Sequence, residues 1–184
     1  MISTIKQDLY RRYGKIEFSL IERMEINKIP QVKFMNIKRK IDWYRNKNKI
    51  KYYYYSFIYR KLKIKYNVDI PARTKIGNGF LIEHIGAITV NPDVIIGNNC
   101  SIYNGVTIGV EKRGERKGVP TIGNKVWIGA NSIVVGGIII GDNVLIAPGA
   151  FVNFNVPSNS LVIGNPGIIK SKYDATEIYI DNLV

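Results

Sequence analysis

One histidine, His84, and one cysteine, Cys100, are all that 184 residues contain of either type. A lone cysteine cannot close an intrachain disulfide, so nothing points to an oxidising compartment. A catalytic zinc centre built on three histidines is excluded by the count, and no metal is expected. No apolar run approaches the roughly 18 residues needed to span a bilayer. The start, MISTIKQDLYRRYG, has charges where a signal peptide needs an apolar core. A soluble, cytoplasmic protein is the expectation.

Acidic residues are scarce in one part only. Residues 1–68 hold 18 Lys/Arg and 5 Asp/Glu, a balance of +13, and residues 69–184 hold nine of each. Nine of the twelve tyrosines also fall in the first segment. The composition predicts two parts with different surfaces, divided near Asp69. A basic, aromatic segment suits an anionic partner, either a nucleic acid or the inner face of a membrane.

The basic segment, 1–68, reads as helices. Thr4 to Gln7 and Ser19 to Glu22 each have the spacing of a capping box, and Pro30 should break the second helix. A third helix places Phe34, Ile37, Ile41 and Tyr44 on one face. A fourth places Ile50, Tyr53, Tyr54, Phe57 and Ile58 together.

From Asp69 the period changes. An aliphatic residue recurs every six positions at Ile122, Ile128, Val134, Ile140, Ile146 and Val152. The same phase runs through Ile70 and Ile76, and through Val90, Ile96, Ile102 and Ile108. Four residues after a leader lies a mostly small or β-branched one, and Cys100 takes such a corner position after Ile96. A six-residue period is neither helical nor that of simple strands. It fits a triangular coil with three flat faces, stacked at about 4.8 Å. The phase slips twice. One slip contains His84. The other contains GVEKRGERKGVP, a polar, Gly-rich stretch that should leave the coil as a loop over 110–119. Two coils apart in sequence, the two irregular sites are expected to lie close together.

These residues resemble the hexapeptide-repeat acyltransferases, above all the serine acetyltransferase group and its relatives in surface-polysaccharide loci. DIPARTKIGNG, the Glu83-His84 pair, SIYNGVTIG, the loop ending in VPTIG, VWIGANSIVVGGIIIGDN and VIGNPGIIK carry the likeness, over about residues 66–170. It implies a mainly β fold: a left-handed parallel β-helix over 69–168, behind an α-helical segment and before a short tail, 169–184. It implies an acetyl-CoA-dependent O-acetyltransferase. His84 would take the proton of an acceptor hydroxyl, as a positioned base must for such a group to attack at neutral pH. Asp69 would orient the ring.

In the family the acyl donor lies along a groove between subunits. The matching positions are Gly109, Val110, Gly129, Ala130 and Ala147, with a main-chain N–H of Gly109 or Val110 as oxyanion donor and Lys170 for the phosphates of CoA. A homotrimer or a dimer of trimers follows. Glu83, Arg113, Arg116 and Lys117 are the acceptor-binding candidates. One departure bears on the acceptor: the Arg-His pair that helps serine acetyltransferases hold serine is replaced by Gly118 and Val119. A saccharide of surface-polysaccharide biosynthesis is therefore the first expectation and serine the alternative. A non-catalytic solenoid that binds nucleic acid or an anionic surface is the distant one.

Overall fold

The structure, a computed structural model, describes residues 2–184. Four helices precede a parallel β-solenoid. They are α1 (Ile2–Tyr13), α2 (Leu20–Ile26), α3 (Pro30–Tyr44) and α4 (Lys49–Tyr66).

The solenoid has three faces. Face A stacks β1 (Val68–Asp69), β4 (Ile88–Val90), β7 (Thr107–Gly109), β10 (Ile133–Val135) and β13 (Phe151–Val152). Face B stacks β2 (Lys75–Ile76), β5 (Ile95–Ile96), β8 (Thr121–Ile122) and β11 (Ile139–Ile140). Face C stacks β3 (Leu81–Ile82), β6 (Ser101–Ile102), β9 (Val126–Ile128), β12 (Val144–Ile146) and β14 (Ser160–Ile163). A last strand, β15 (Ile168–Ser171), pairs antiparallel with β14, so the coil's sheet runs past the expected limit at 168.

The hexad leaders form the interior. Val90, Ile108, Val134 and Val152 stack on face A. Ile82, Ile102, Ile128, Ile146 and Val162 stack on face C. All nine are buried, and each such side chain contributes about 1.5–3 kcal/mol relative to exposure. The corner positions are buried too, including Phe80, Val106, Ser132 and Ala150. Cys100 is among them; burial pushes its thiol up to about 12, which leaves it an inert core group. Glycine follows the leaders on face B because the coils touch there. A Cβ on Gly97 would come within 2.5 Å of the Gly123 carbonyl oxygen.

The helical layer departs from expectation in three places. Helix α1 runs from Ile2, so Thr4 lies inside it and caps nothing. Pro30 does not end α2, which stops at Ile26. It occupies the first turn of α3, where a missing N–H costs no hydrogen bond. The Ser19 box does form: Ser19 Oγ accepts from Glu22 N at 3.3 Å, and Ser19 N donates to Glu22 Oε2 at 2.8 Å.

The third departure concerns the predicted face of α4: Ile50, Tyr53, Tyr54 and Phe57 are exposed, and of that set only Ile58 packs on the core. Tyr59 and Leu62 are buried instead, and Tyr59 Oη donates to Ile70 O at 2.9 Å. Four tyrosines in a row supply apolar atoms to both sides, so periodicity could not choose between them. A buried ion pair ties the layer to the coil. Arg39 meets Asp8 at 2.8 and 3.0 Å and donates to the carbonyls of Ile76 and Gly77 at 2.7 and 2.6 Å.

Candidate active site

His84 follows β3 and sits on the edge where face C turns into face A. The slip in the hexad phase is accommodated here by Gly86 and Ala87, both at positive φ (119° and 52°). The ring is exposed. Its neighbour Glu83 is anchored from three sides. Its N–H donates to Ile102 O at 2.9 Å, its carbonyl accepts from Gln31 Nε2 of α3 at 2.9 Å, and its carboxylate lies 3.7 Å from Arg12 of α1. Arg12 also donates to Ile82 O at 2.6 Å. The helical layer thus holds the backbone that presents His84.

Register continues this edge through the coil. Glu83, Tyr103, Gly129 and Ala147 each donate their N–H to the next turn of face C, at 2.9, 3.1, 2.8 and 2.8 Å. His84, Ala130 and Ala147 therefore share one edge, spread over three coil spacings or about 14 Å. Below the histidine the edge carries Tyr103 and Asn104, and then Gly129, Ala130, Ala147 and Pro148. The Tyr103 ring lies 5.4 Å from that of His84, tilted by 59°. Burial and then the negative charge of Glu83 raise the Tyr103 phenol above its ordinary pKa.

Tyr103 is the residue that sequence reasoning missed. A signal was present: an aromatic residue occupies the step where the two coils beyond carry Gly129 and Ala147.

The loop emerges elsewhere. Residues 110–119 leave after β7 and return at β8, on the edge between faces A and B, with Glu111 and Gly118 bridged antiparallel. The expectation that the two irregular sites lie close together is corrected. Within one chain they lie at opposite edges of face A. Coil spacing alone placed them near each other; the corner at which each slip occurs separates them.

Gly109 and Val110 belong to this second edge. Arg113 and Arg116 line a cleft of about 560 Å³ with Val135 and Asn153, and Lys117 is exposed beside it. The loop base packs on Gly137, whose N–H donates to Arg116 O at 2.8 Å. Lys170 is exposed on β15, opposite Leu161.

The structure does not join Asp69 to His84. Asp69 is 61% exposed and its carboxylate meets Lys63 Nζ at 2.5 Å. Its strand nonetheless starts face A beside the edge that carries His84, with Asp69 in register with Thr89.

The tail covers face C. Outward-facing Trp127 and Leu145 are buried against Ala175 and Ile180. Val184 exchanges two hydrogen bonds with the Asn99 side chain, at 2.7 and 2.9 Å. Among the described residues, no helix is long and apolar enough to cross a membrane.

Comparison with known proteins reaches the part of the histidine edge that carries Gly129, Ala130 and Ala147. Residues 120–153 match the bacterial transferase hexapeptide (six repeats) family. A serine acetyltransferase of Synechococcus elongatus is 39% identical over 100 residues, which cover 54% of this chain and 41% of that one. WcaB of Escherichia coli K12, assigned to colanic acid biosynthesis as an acetyltransferase, is 38% identical over 105 residues, 57% of this chain and 64% of that one. The crystal structure of Neisseria gonorrhoeae serine acetyltransferase with serine superposes with a TM-score of 0.73 at 28% identity, over 92% of this chain and 69% of that one. The chain spans about half the length of the curated relatives it matches. It carries the hexapeptide repeat of the bacterial transferases; in sequence and fold it is similar to serine acetyltransferases, and in sequence also to a colanic acid biosynthesis acetyltransferase.

Proposed function

We propose that the chain transfers an acetyl group from acetyl-CoA to an acceptor hydroxyl, with His84 as the base. The observation that carries this is the edge itself. A single exposed imidazole stands at one end of a lane whose steps below Tyr103 are Gly129, Ala130 and Ala147. Such a lane admits a long, thin donor arm close to backbone, with its thioester delivered to the histidine. His84 takes the hydroxyl proton as the oxygen attacks the thioester carbonyl. A main-chain N–H of Gly109 or Val110 receives the charge that develops on the carbonyl oxygen. As that charge collapses the C–S bond breaks, and His84 passes its proton to the departing CoA thiolate. Asp69 steadies the ring once it exchanges Lys63 for the imidazole. Lys170 meets the CoA phosphates.

This reading needs a second copy of the chain. The histidine edge and the loop edge lie at opposite sides of face A, so one chain supplies two half-sites and no complete groove. Three-fold assembly sets the loop edge of one copy against the histidine edge of the next. Arg113, Arg116 and Lys117 then reach the acceptor bound at the neighbour's Glu83 and His84. A homotrimer, or a pair of trimers, is the proposed active form.

The relatives favour serine as acceptor over the saccharide that sequence reading placed first. The saccharide stays as a second reading on two observations. Gly118 and Val119 offer no charge to a serine carboxylate, and burying that carboxylate unpaired is costly. The Tyr103 ring beside His84 offers a flat apolar face of the kind on which a sugar ring can lie.

Release of CoA, followed with a thiol reagent, tests the proposal against serine and a panel of sugars and glycans. His84→Ala should lower kcat by about 10²–10⁴ with acetyl-CoA binding retained. Near-normal turnover in that variant overturns the assignment. A kcat/KM for serine above about 10⁴ M⁻¹s⁻¹, with sugars inert, decides for serine.

A further inference from the structure

Helix α4 has two apolar faces, and the described residues cover only one. At about 100° per residue, Tyr52, Tyr55, Tyr59, Leu62 and Tyr66 turn inward and pack on the core. On the opposite side Ile50, Tyr53, Tyr54, Phe57 and Ile64 form one stripe, exposed by 83%, 67%, 59%, 58% and 79%. Single exposed apolar residues are ordinary on a protein surface; a stripe running the length of a helix is not.

The charge around the stripe has one sign. Helix α4 carries Lys49, Lys51, Arg60, Lys61, Lys63 and Lys65, with no Asp or Glu. Of these, Lys63 alone is ion-paired among the described residues, with Asp69. Lys61 lies within the stripe, 4.5 Å over the Phe57 ring. Helical geometry puts Lys51 and Lys65 along one border and Lys49 and Arg60 along the other.

We propose that the outer face of α4 docks on an anionic lipid bilayer, with the helix lying in the plane of the interface. Two features select this occupant. A second copy of the same face would bring five more cations and no acid against Lys49, Lys51, Arg60, Lys61 and Lys65, and like charges that desolvate together oppose association. Anionic headgroups complement them instead. The stripe also has the chemistry of an interface. Tyrosine rings settle at headgroup depth, isoleucine and phenylalanine enter the acyl boundary, and lysine stems reach back to the phosphates. A nucleic acid would meet the cations and leave Ile50 and Ile64 in water.

Vesicle flotation of the full chain tests the surface, and it needs no turnover, so its outcome is independent of the CoA-release assay. Vesicles of phosphatidylcholine with about one third phosphatidylglycerol should bind the protein, with affinity falling as salt rises. Phosphatidylcholine alone should bind about tenfold more weakly. Phe57→Ser with Ile64→Ser should lose about tenfold on the anionic vesicles while keeping the wild-type circular dichroism and sedimentation, because both side chains are already in water. Lys61→Glu should also weaken binding.

Absence of flotation on anionic vesicles at low salt overturns the proposal, as does equal binding by the stripe variant. A smaller assembly for that variant in sedimentation would assign the face to a second copy. Retention on a DNA duplex without vesicle binding would assign it to nucleic acid. Either result also overturns the proposal.

Discussion

The coil and the helical layer bury their apolar residues by different rules. In the coil each inward side chain meets its own equivalent one turn away: Ile102 on Ile128, Ile128 on Ile146. In the layer no contact recurs. Phe34 meets Tyr59 once, at 4.7 Å between ring centroids, and one buried ion pair, Arg39 with Asp8, fixes α1 and α3 against the coil. A repeating core shares a defect between two neighbouring turns. A core of single contacts has nothing to share it with.

The sharpest way to break this comparison is to remove the clamp. Arg39→Met strands the Asp8 carboxylate where burial already raises its pKa against the attraction of Arg39. The expected loss is about 3–5 kcal/mol. Two tryptophans separate the regions, Trp43 in α3 and Trp127 in β9. With each in turn replaced by Phe, denaturant unfolding should show the layer signal moving to lower denaturant ahead of the coil signal. Coincident transitions would mean that layer and coil melt as one unit. Pairing Arg39→Met with Asp8→Leu should recover the part of the loss that comes from the orphaned charge, but not the part that comes from the Ile76 and Gly77 carbonyls left without their donor.

The matching change in the coil is Ile108→Ala. Ile108 is fully buried between Val90 and Val134. A cavity there should cost about 2–5 kcal/mol, read on the Trp127 signal. The low end is expected if adjacent turns settle into the gap, and the high end if the stacking is rigid. A drop confined to Trp43 would contradict the assignment of this rung to the coil core.

The two rules also explain what the sequence made legible. Twelve positions in one phase carry redundant information, so the faces, the corners and the inert place of Cys100 can be read from spacing. His84 stood out because it lies in a slip of that phase, and the loop for the same reason. The edge on which each slip falls was not readable from spacing alone. It depends on counting faces through every turn, and this count separates His84 from residues 110–119. The partner of Asp69 was not readable either, since Lys63 belongs to the layer. In α4 the pattern showed a real apolar stripe and gave no means of telling covered from uncovered, because Tyr52 and Tyr55 balance Tyr53 and Tyr54. Tyr103 was hidden by its setting: between Ile102 and Asn104 it looks like any outward residue, until register stacks it on Gly129.

The smallest expected effect sharpens the comparison from the layer's edge. Helix α2 buries none of its residues, so its start depends on the Ser19 box and on Lys15, which reaches Glu22 Oε1 at 2.6 Å. Ser19→Ala should cost about 1 kcal/mol. The Glu22 carboxyl is held down to about 2, first by the Lys15 hydrogen bond and then by the Ser19 N–H. A depressed acid stabilises the fold above its ordinary pKa near 4.5 and loses that contribution as pH falls towards 2. Asp8 runs the other way: its raised pKa means that the folded layer takes up its proton more readily, so its term favours folding as pH falls. Acid titrations of wild type and Glu22→Gln, read on Trp43, isolate the first effect. The wild type should lose more stability than the variant between about pH 4.5 and 2, with no such difference on Trp127. Parallel acid curves would show that the Ser19 box closes without help from the ionised carboxylate.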